Sequence, residues 1–162
     1  MPETSPIRPT NDEARALARH LIDEARYGAI GVQDPETRAP MVSRIAVGTT
    51  PDGMPLSLVS DLSHHTRALR QTPSCSLLVG EPGEKGDPLT HPRLTLQCTA
   101  TFVTREDVDF AGLREHYLTT HPKAKLYIDF GDFNFVLLAP EEAHLNGGFG
   151  KAFTLTPEDL GL

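Results

Sequence analysis

The stretch Ser60-Asp61-Leu62-Ser63-His64-His65-Thr66-Arg67 carries the most informative chemistry in the chain. It follows an apolar run, Pro55 to Ser60, and leads into a segment with helical spacing, 63 to 71. The first turn of a helix leaves backbone N–H groups without partners, so such a junction is a natural seat for a phosphate. The alternative is that Ser63 simply caps the helix and the histidines are solvated. Arg44 stands inside the apolar run Met41 to Thr49. Buried alone it would be costly, so it faces solvent, pairs with a carboxylate or meets an anionic ligand. Arg93, at the head of the long run Arg93 to Thr104, poses the same question. Lys151 follows Gly147-Gly148-Phe149-Gly150, where backbone can approach a ligand closely, although a solvated lysine is the plainer reading.

Other chemistries find little support. His64 and His65 are adjacent and would point apart on a strand, and His116 and His121 do not share a helix face. No HExxH or Cys/His ligand set is present, so no metal site is expected. A GxSxG nucleophile, a GxGxxG turn and a GxxxxGK[ST] loop are all missing. Glu141-Glu142 beside Pro140 reads as a solvated turn.

The positioning elements follow from periodicity. Thr10 or Asn11 caps a helix whose Ala14, Leu17, Ala18, Leu21, Ile22 and Ala25 form one stripe, ending near Tyr27-Gly28. Short strands are expected at 29–32, 41–49, 55–60, 74–81, 93–104 and 133–139, with 41–60 forming a hairpin about Thr50-Pro51-Asp52-Gly53. A further strand is expected at 142–146, beyond Pro140. Helices are expected at 63–71 and 106–119, with a short one at 123–130. Strands joined mostly by hairpin-length links imply an antiparallel barrel with added helices, an α+β chain that is mainly β.

The 162 residues suit one domain, with a flexible Pro-rich arm over 1–10 and a single folded unit over 11–162. The formal net charge of −7 argues against a nucleic-acid binder. Cys75 and Cys98 sit in apolar runs and read as buried reduced thiols. Neither an apolar signal core nor a membrane-length apolar stretch appears, so a cytoplasmic protein without membrane contact is expected.

Several of these segments, taken in order, resemble a known family. Val42-Ser43-Arg44-Ile45-Ala46, Ser60-Asp61-Leu62-Ser63-x-His65-Thr66, Leu69-x-x-x-Pro73 and Ser76-Leu77-Leu78 resemble the pyridoxamine 5′-phosphate oxidase-related flavin-binding split barrels. Gly86-Asp87-Pro88 with Arg93-Leu94-Thr95-Leu96 is similar to the haem-utilisation branch of that group. So are His121-Pro122 with Tyr127-x-Asp129-Phe130-x-Asp132-Phe133, and Ala143-His144-Leu145 with Gly147-Gly148-Phe149-Gly150. The resemblance implies a six-stranded antiparallel split β-barrel of the FMN-binding type that forms a homodimer with FMN at the subunit interface. It implies an oxidoreductase acting on a small redox substrate, with Arg44 on the flavin phosphate. Ile45, Ser60, Ser63, His64, His65, Thr66, Arg93 and Lys151 would complete the cofactor site.

Two histidines fall where the oxidases carry permanent cations, which makes phosphate binding pH-dependent. Lys151 falls where the haem branch has arginine, and lysine does not reproduce arginine's planar fork. The alternatives are a haem-binding or haem-degrading protein with His144 or His65 as axial ligand, the deazaflavin F420 in place of FMN, or a non-catalytic flavin-binding module. The absence of Trp argues against pyridoxamine phosphate as substrate.

Overall fold

The computed structural model describes residues 5–162. Helix α1 (Asp12–Glu24) is capped by Asn11, whose side chain accepts the Ala14 N–H at 2.8 Å. The Thr10 hydroxyl instead donates to the Thr154 carbonyl at 2.9 Å. The helix stops three residues before the expected Tyr27-Gly28, because both already belong to β2 (Tyr27–Gln33). Gly28 is required there: a Cβ would lie 2.7 Å from the Leu78 carbonyl oxygen. Part of the expected arm, residues 1–4, lies outside the described residues. Within them, β1 (Ile7–Arg8) runs parallel to β9 (Ala152–Leu155).

The remaining strands are β3 (Pro40–Ala46), β4 (Gly48–Thr49), β5 (Pro55–Ser60), β6 (Ser74–Val79), β7 (Arg93–Val103) and β8 (Phe133–Asn146). Helices α2 (His64–Gln71) and α3 (Phe110–Thr120) lie between them. One nine-stranded sheet results, in the order β1-β9-β8-β7-β6-β2-β3, with β5 added to β8 and β4 to β5. It is open and, apart from β1 with β9, antiparallel. Six of the strands have six residues or more, and they correspond to the expected six-stranded split barrel. The short β1, β4 and β9 raise the count.

Three expectations change. The run 41–49 is two strands, broken at Val47, which is wholly buried and donates its N–H to the Arg26 carbonyl. As a result β4 alone forms the hairpin with β5, while β3 pairs along its length with β2. The expected separate strands on either side of Pro140 are one, β8. Gln97 pairs with Glu142 and Cys98 with Pro140, so Glu141 is the extra residue of a β-bulge. On the other side of β8, pairing with β5 ends at Leu137 and pairing with β9 begins at Ala143, so Pro140 interrupts no ladder there. The third change is at 122–126, a 3₁₀ turn where a short helix was expected.

Two apolar cores fill the fold. The larger lies inside the barrel, where α1 and α2 contribute Ala18, Ile22, Ala68 and Leu69 against Ile30, Leu77, Leu96 and Leu138. The smaller lies under α3, where Leu113 and Tyr117 meet Leu56, Ile128 and Phe135. Alternation in the β7 sequence puts Leu94, Leu96, Cys98, Ala100 and Phe102 on one face, and the first four are buried in the barrel core with Phe102 half-buried against it. No helix among the described residues is long and apolar enough to cross a membrane.

Candidate functional site

Ser63 takes the N-cap position of α2, but its side chain makes no capping hydrogen bond. The two histidines that follow are each tied to a neighbour. His64 Nε2 lies 2.9 Å from Asp34 Oδ2. The Asp34 Oδ1 also accepts the N–H groups of Thr37 and Glu36 at 2.8 and 2.9 Å, and these bonds, with His64, hold its carboxyl far below the usual range. His65 Nδ1 lies 3.4 Å from the Ser43 hydroxyl, and burial pulls its imidazole below the ordinary range, with His64 adding to the effect. Thr66 is wholly buried, and its hydroxyl has no partner among the described residues. The Ser60 hydroxyl donates to Asp132 at 2.5 Å and accepts the Leu62 N–H at 3.1 Å. Of the residues expected to hold a phosphate, Ser63 and the free amides of the α2 start are therefore open. Ser60 is committed to Asp132, and Thr66 is sealed inside.

Arg44 is exposed on the opposite side of β3 from Ser43, its guanidinium 5.6 Å from the centre of the Tyr27 ring. Ile45 turns inward and is buried in the barrel core. Register sets Arg44 opposite Ala29, Ala29 opposite Leu78, Leu78 opposite Thr95, and Thr95 opposite His144. Directly opposed residues share a face, so one row on the outer sheet face runs from a guanidinium to an imidazole over a small, partly apolar floor. His144 is exposed, with Nε2 3.3 Å from Glu142 Oε2. Val42 and Leu78, 71% and 42% exposed, make this face apolar as well as charged.

Arg93 and Asn146, a directly opposed pair, are the next positions on the same face beyond Thr95 and His144, and Asn146 also pairs with Ala152, the neighbour of Lys151. Arg93 donates to the Leu89 carbonyl at 3.0 Å, and Lys151 is exposed beyond a turn in which Gly148 and Gly150 have φ of 122° and 72°. Lys151 and Arg8 line a small cavity of about 200 Å³ with Asn11 and Phe153. A cleft of about 570 Å³ opens where β2 and β6 part after the pair Gly31–Ser76, lined among others by Arg38, Met41, Cys75, Cys98 and Glu141. A second, of about 710 Å³, lies between the 50–54 turn and α3, and none of the expected site residues borders it.

Sequence reasoning missed Asp34, Asp132, Tyr27 and Glu142, the partners of the candidate residues. Asp34-Pro35 carried a signal, because an Asp whose side chain bonds amides two and three residues on marks a turn.

An open, mostly antiparallel sheet with helices set on it defines a split barrel of the pyridoxamine phosphate oxidase type. The chain belongs to the CREG β-barrel family, whose model matches residues 9–160. Over 114 residues it is 37% identical to the chloroplastic non-canonical heme oxygenase HOZ of Arabidopsis thaliana, a stretch covering 70% of this chain and 34% of that protein. A heme binding protein from Mycobacterium smegmatis superposes with a TM-score of 0.82 at 28% identity, over 96% of this chain and 61% of that one. A Clostridium acetobutylicum protein of the pyridoxinephosphate oxidase family, related to general stress protein 26, superposes with a TM-score of 0.69 at 14% identity, over 93% of this chain and 99% of that one. At that identity the likeness is one of fold. The chain spans about a third of the length of the Arabidopsis protein and about three fifths of the mycobacterial one.

Proposed function

We propose that this chain binds haem on the outer sheet face and works as a homodimer through that face. The carrying observation is the register row that joins Arg44 to His144. An exposed imidazole suits an iron ligand. The neighbouring Glu142 would orient its ring. A guanidinium suits the carboxylates of a porphyrin, and Ala29 and Leu78 offer a floor for a flat apolar body. The names of the Arabidopsis and mycobacterial relatives support the same reading. Val42 and Leu78 supply apolar surface for a second copy, which would also cover the cofactor. Haem bound there would supply redox and oxygen chemistry that the side chains do not. The two free thiols accord with a reducing, cytoplasmic setting.

The absorbance spectrum of the purified protein, before and after haem addition, tests this. A Soret band that is lost or displaced in His144→Ala supports it. A protein that stays colourless through a haem titration sinks it.

A flavin reading has its own observation. Ser63 leaves the first-turn amides of α2 without a side-chain cap, and such amides suit the phosphate of FMN or F420. The chain would then be a flavin-dependent oxidoreductase for a small substrate, or a flavin-binding module without turnover. Two flavin bands released on denaturation would favour it over haem. Flavin content unchanged in Arg44→Ala would count against it.

A further inference from the structure

Cys75 and Cys98 are 23 positions apart in sequence and directly opposed in the sheet, on β6 and β7. The Ala100 N–H donates to the Pro73 carbonyl at 2.9 Å, and pair types alternate along an antiparallel ladder. Cys75 and Cys98 are therefore again a hydrogen-bonded pair, with Cα atoms about 5.5 Å apart, inside the Cα range of disulfides, while their Cβ atoms must close by about 1 Å for the bond to form. Opposed residues share a face, and both side chains enter the barrel core as free thiols. Both also border the cleft where β2 leaves β6, so the pair stands at an opening in the barrel wall.

We propose that Cys75 and Cys98 are a cross-strand redox pair that closes to a disulfide by exchange with a low-molecular-weight disulfide entering that cleft. One thiolate attacks the oxidant's S–S bond, giving a mixed disulfide and releasing one oxidant thiol. The second protein thiolate then displaces the other oxidant thiol. Two S–H bonds and the oxidant's S–S bond break, one protein S–S bond forms, and the two electrons and two protons leave on the oxidant's thiols. Cys75 is the entering sulfur and Cys98 the resolving one. Cys75 is 9% exposed against 4% for Cys98. Burial pushes its thiol up only to about 11, whereas Cys98 is pushed higher by burial, by Cys75 and by Glu141. Those shifts make the exchange slow at neutral pH and faster as pH rises. The inference does not depend on which cofactor the protein binds.

Native protein is incubated with oxidised glutathione at about pH 8.5, where the thiolate fraction rises, then alkylated and analysed by intact mass and peptide mapping. The expected product has lost about 2 Da, joins the Cys75 and Cys98 peptides, and reverts with dithiothreitol. In Cys98→Ser the expected product is a glutathione adduct on Cys75, and in Cys75→Ser no adduct forms on the same timescale. Two free thiols after prolonged incubation, a disulfide that appears only in denaturant, or a wild type that stops at the glutathione adduct would each overturn the proposal. The wild-type result stands even if a variant fails to fold.

Discussion

Ser43 and Arg44 are neighbours on β3 and serve opposite faces of the sheet. The Ser43 hydroxyl lies 3.4 Å from His65 Nδ1 at the start of α2, while the Arg44 guanidinium stands 5.6 Å from the centre of the Tyr27 ring on the outer face. The strand is the edge of the sheet, so only its rim separates the α2 amides from the outer row.

This separation makes the role of Arg44 measurable without disturbing the fold. Its side chain is exposed and away from the core, so Arg44→Ala should change stability by no more than about 0.5 kcal/mol. If it meets an anionic group of the cofactor, affinity should fall about 10- to 100-fold, as loss of a charged hydrogen bond implies. Cofactor titration with a parallel urea melt reads both. An equal loss of stability would mean that Arg44 is structural.

Stability should fall as pH drops below about 6.5, the ordinary histidine range. Burial lowers His121 and His65 in the folded state, so their neutral rings are favoured there. The contribution is complete above the unfolded value and is lost as pH falls toward the folded one. His121 Nε2 lies 3.1 Å from the Arg26 carbonyl, and its ring stacks on Tyr117 with centroids 4.2 Å apart. His121→Gln keeps a donor for the carbonyl but does not titrate. Urea midpoints measured from about pH 7.5 to 5 should slope less in this variant than in the wild type.

Two glycines of β2 separate close approach from mere placement. A Cβ at Gly28 would sit 2.7 Å from the backbone oxygen of Leu78, whereas at Gly31 the nearest atoms are 3.8 and 3.9 Å away. Gly28→Ala should destabilise by about 1–3 kcal/mol through forced separation of β2 and β6. Gly31→Ala should be neutral to within about 0.5 kcal/mol or slightly stabilising. Denaturant melts of the two variants make the comparison.

Tyr117 is 1% exposed and its hydroxyl has no partner among the described residues. Burial drives this phenol well above its usual range. Removing an unsatisfied buried hydroxyl removes its desolvation penalty, so Tyr117→Phe should be neutral or stabilising by about 1 kcal/mol. A loss of more than that would show that the hydroxyl has a partner in solution.

Much of the fold was legible because it depends on local periodicity. The inward set of β7, the α1 stripe and the Thr50–Gly53 turn all follow from residues close in sequence. The unread parts depend on partners distant in sequence. Pro140 looked like a strand end because its tolerance depends on a bulge opposite Cys98 and on the gap between β5 and β9. The Val47 break depends on the Arg26 carbonyl. The pairing of Cys75 with Cys98 is a matter of register, which spacing along the chain does not encode. At the candidate site the residue types were legible and their commitments were not: nothing in Ser60 or Thr66 announces that one is bonded to Asp132 and the other sealed away.

The continuity of β8 through Pro140 has a consequence for how the molecule comes apart. One end of the strand gives Phe135 to the core beneath α3, and the rest gives Val136, Leu138, Ala143 and Leu145 to the barrel. Neither core can open without pulling on the same backbone, so the two melt together as one cooperative unit. The paired amides of β8 on either side of Pro140 are then among the slowest to exchange with solvent, and the strand acts as the keel of the molecule.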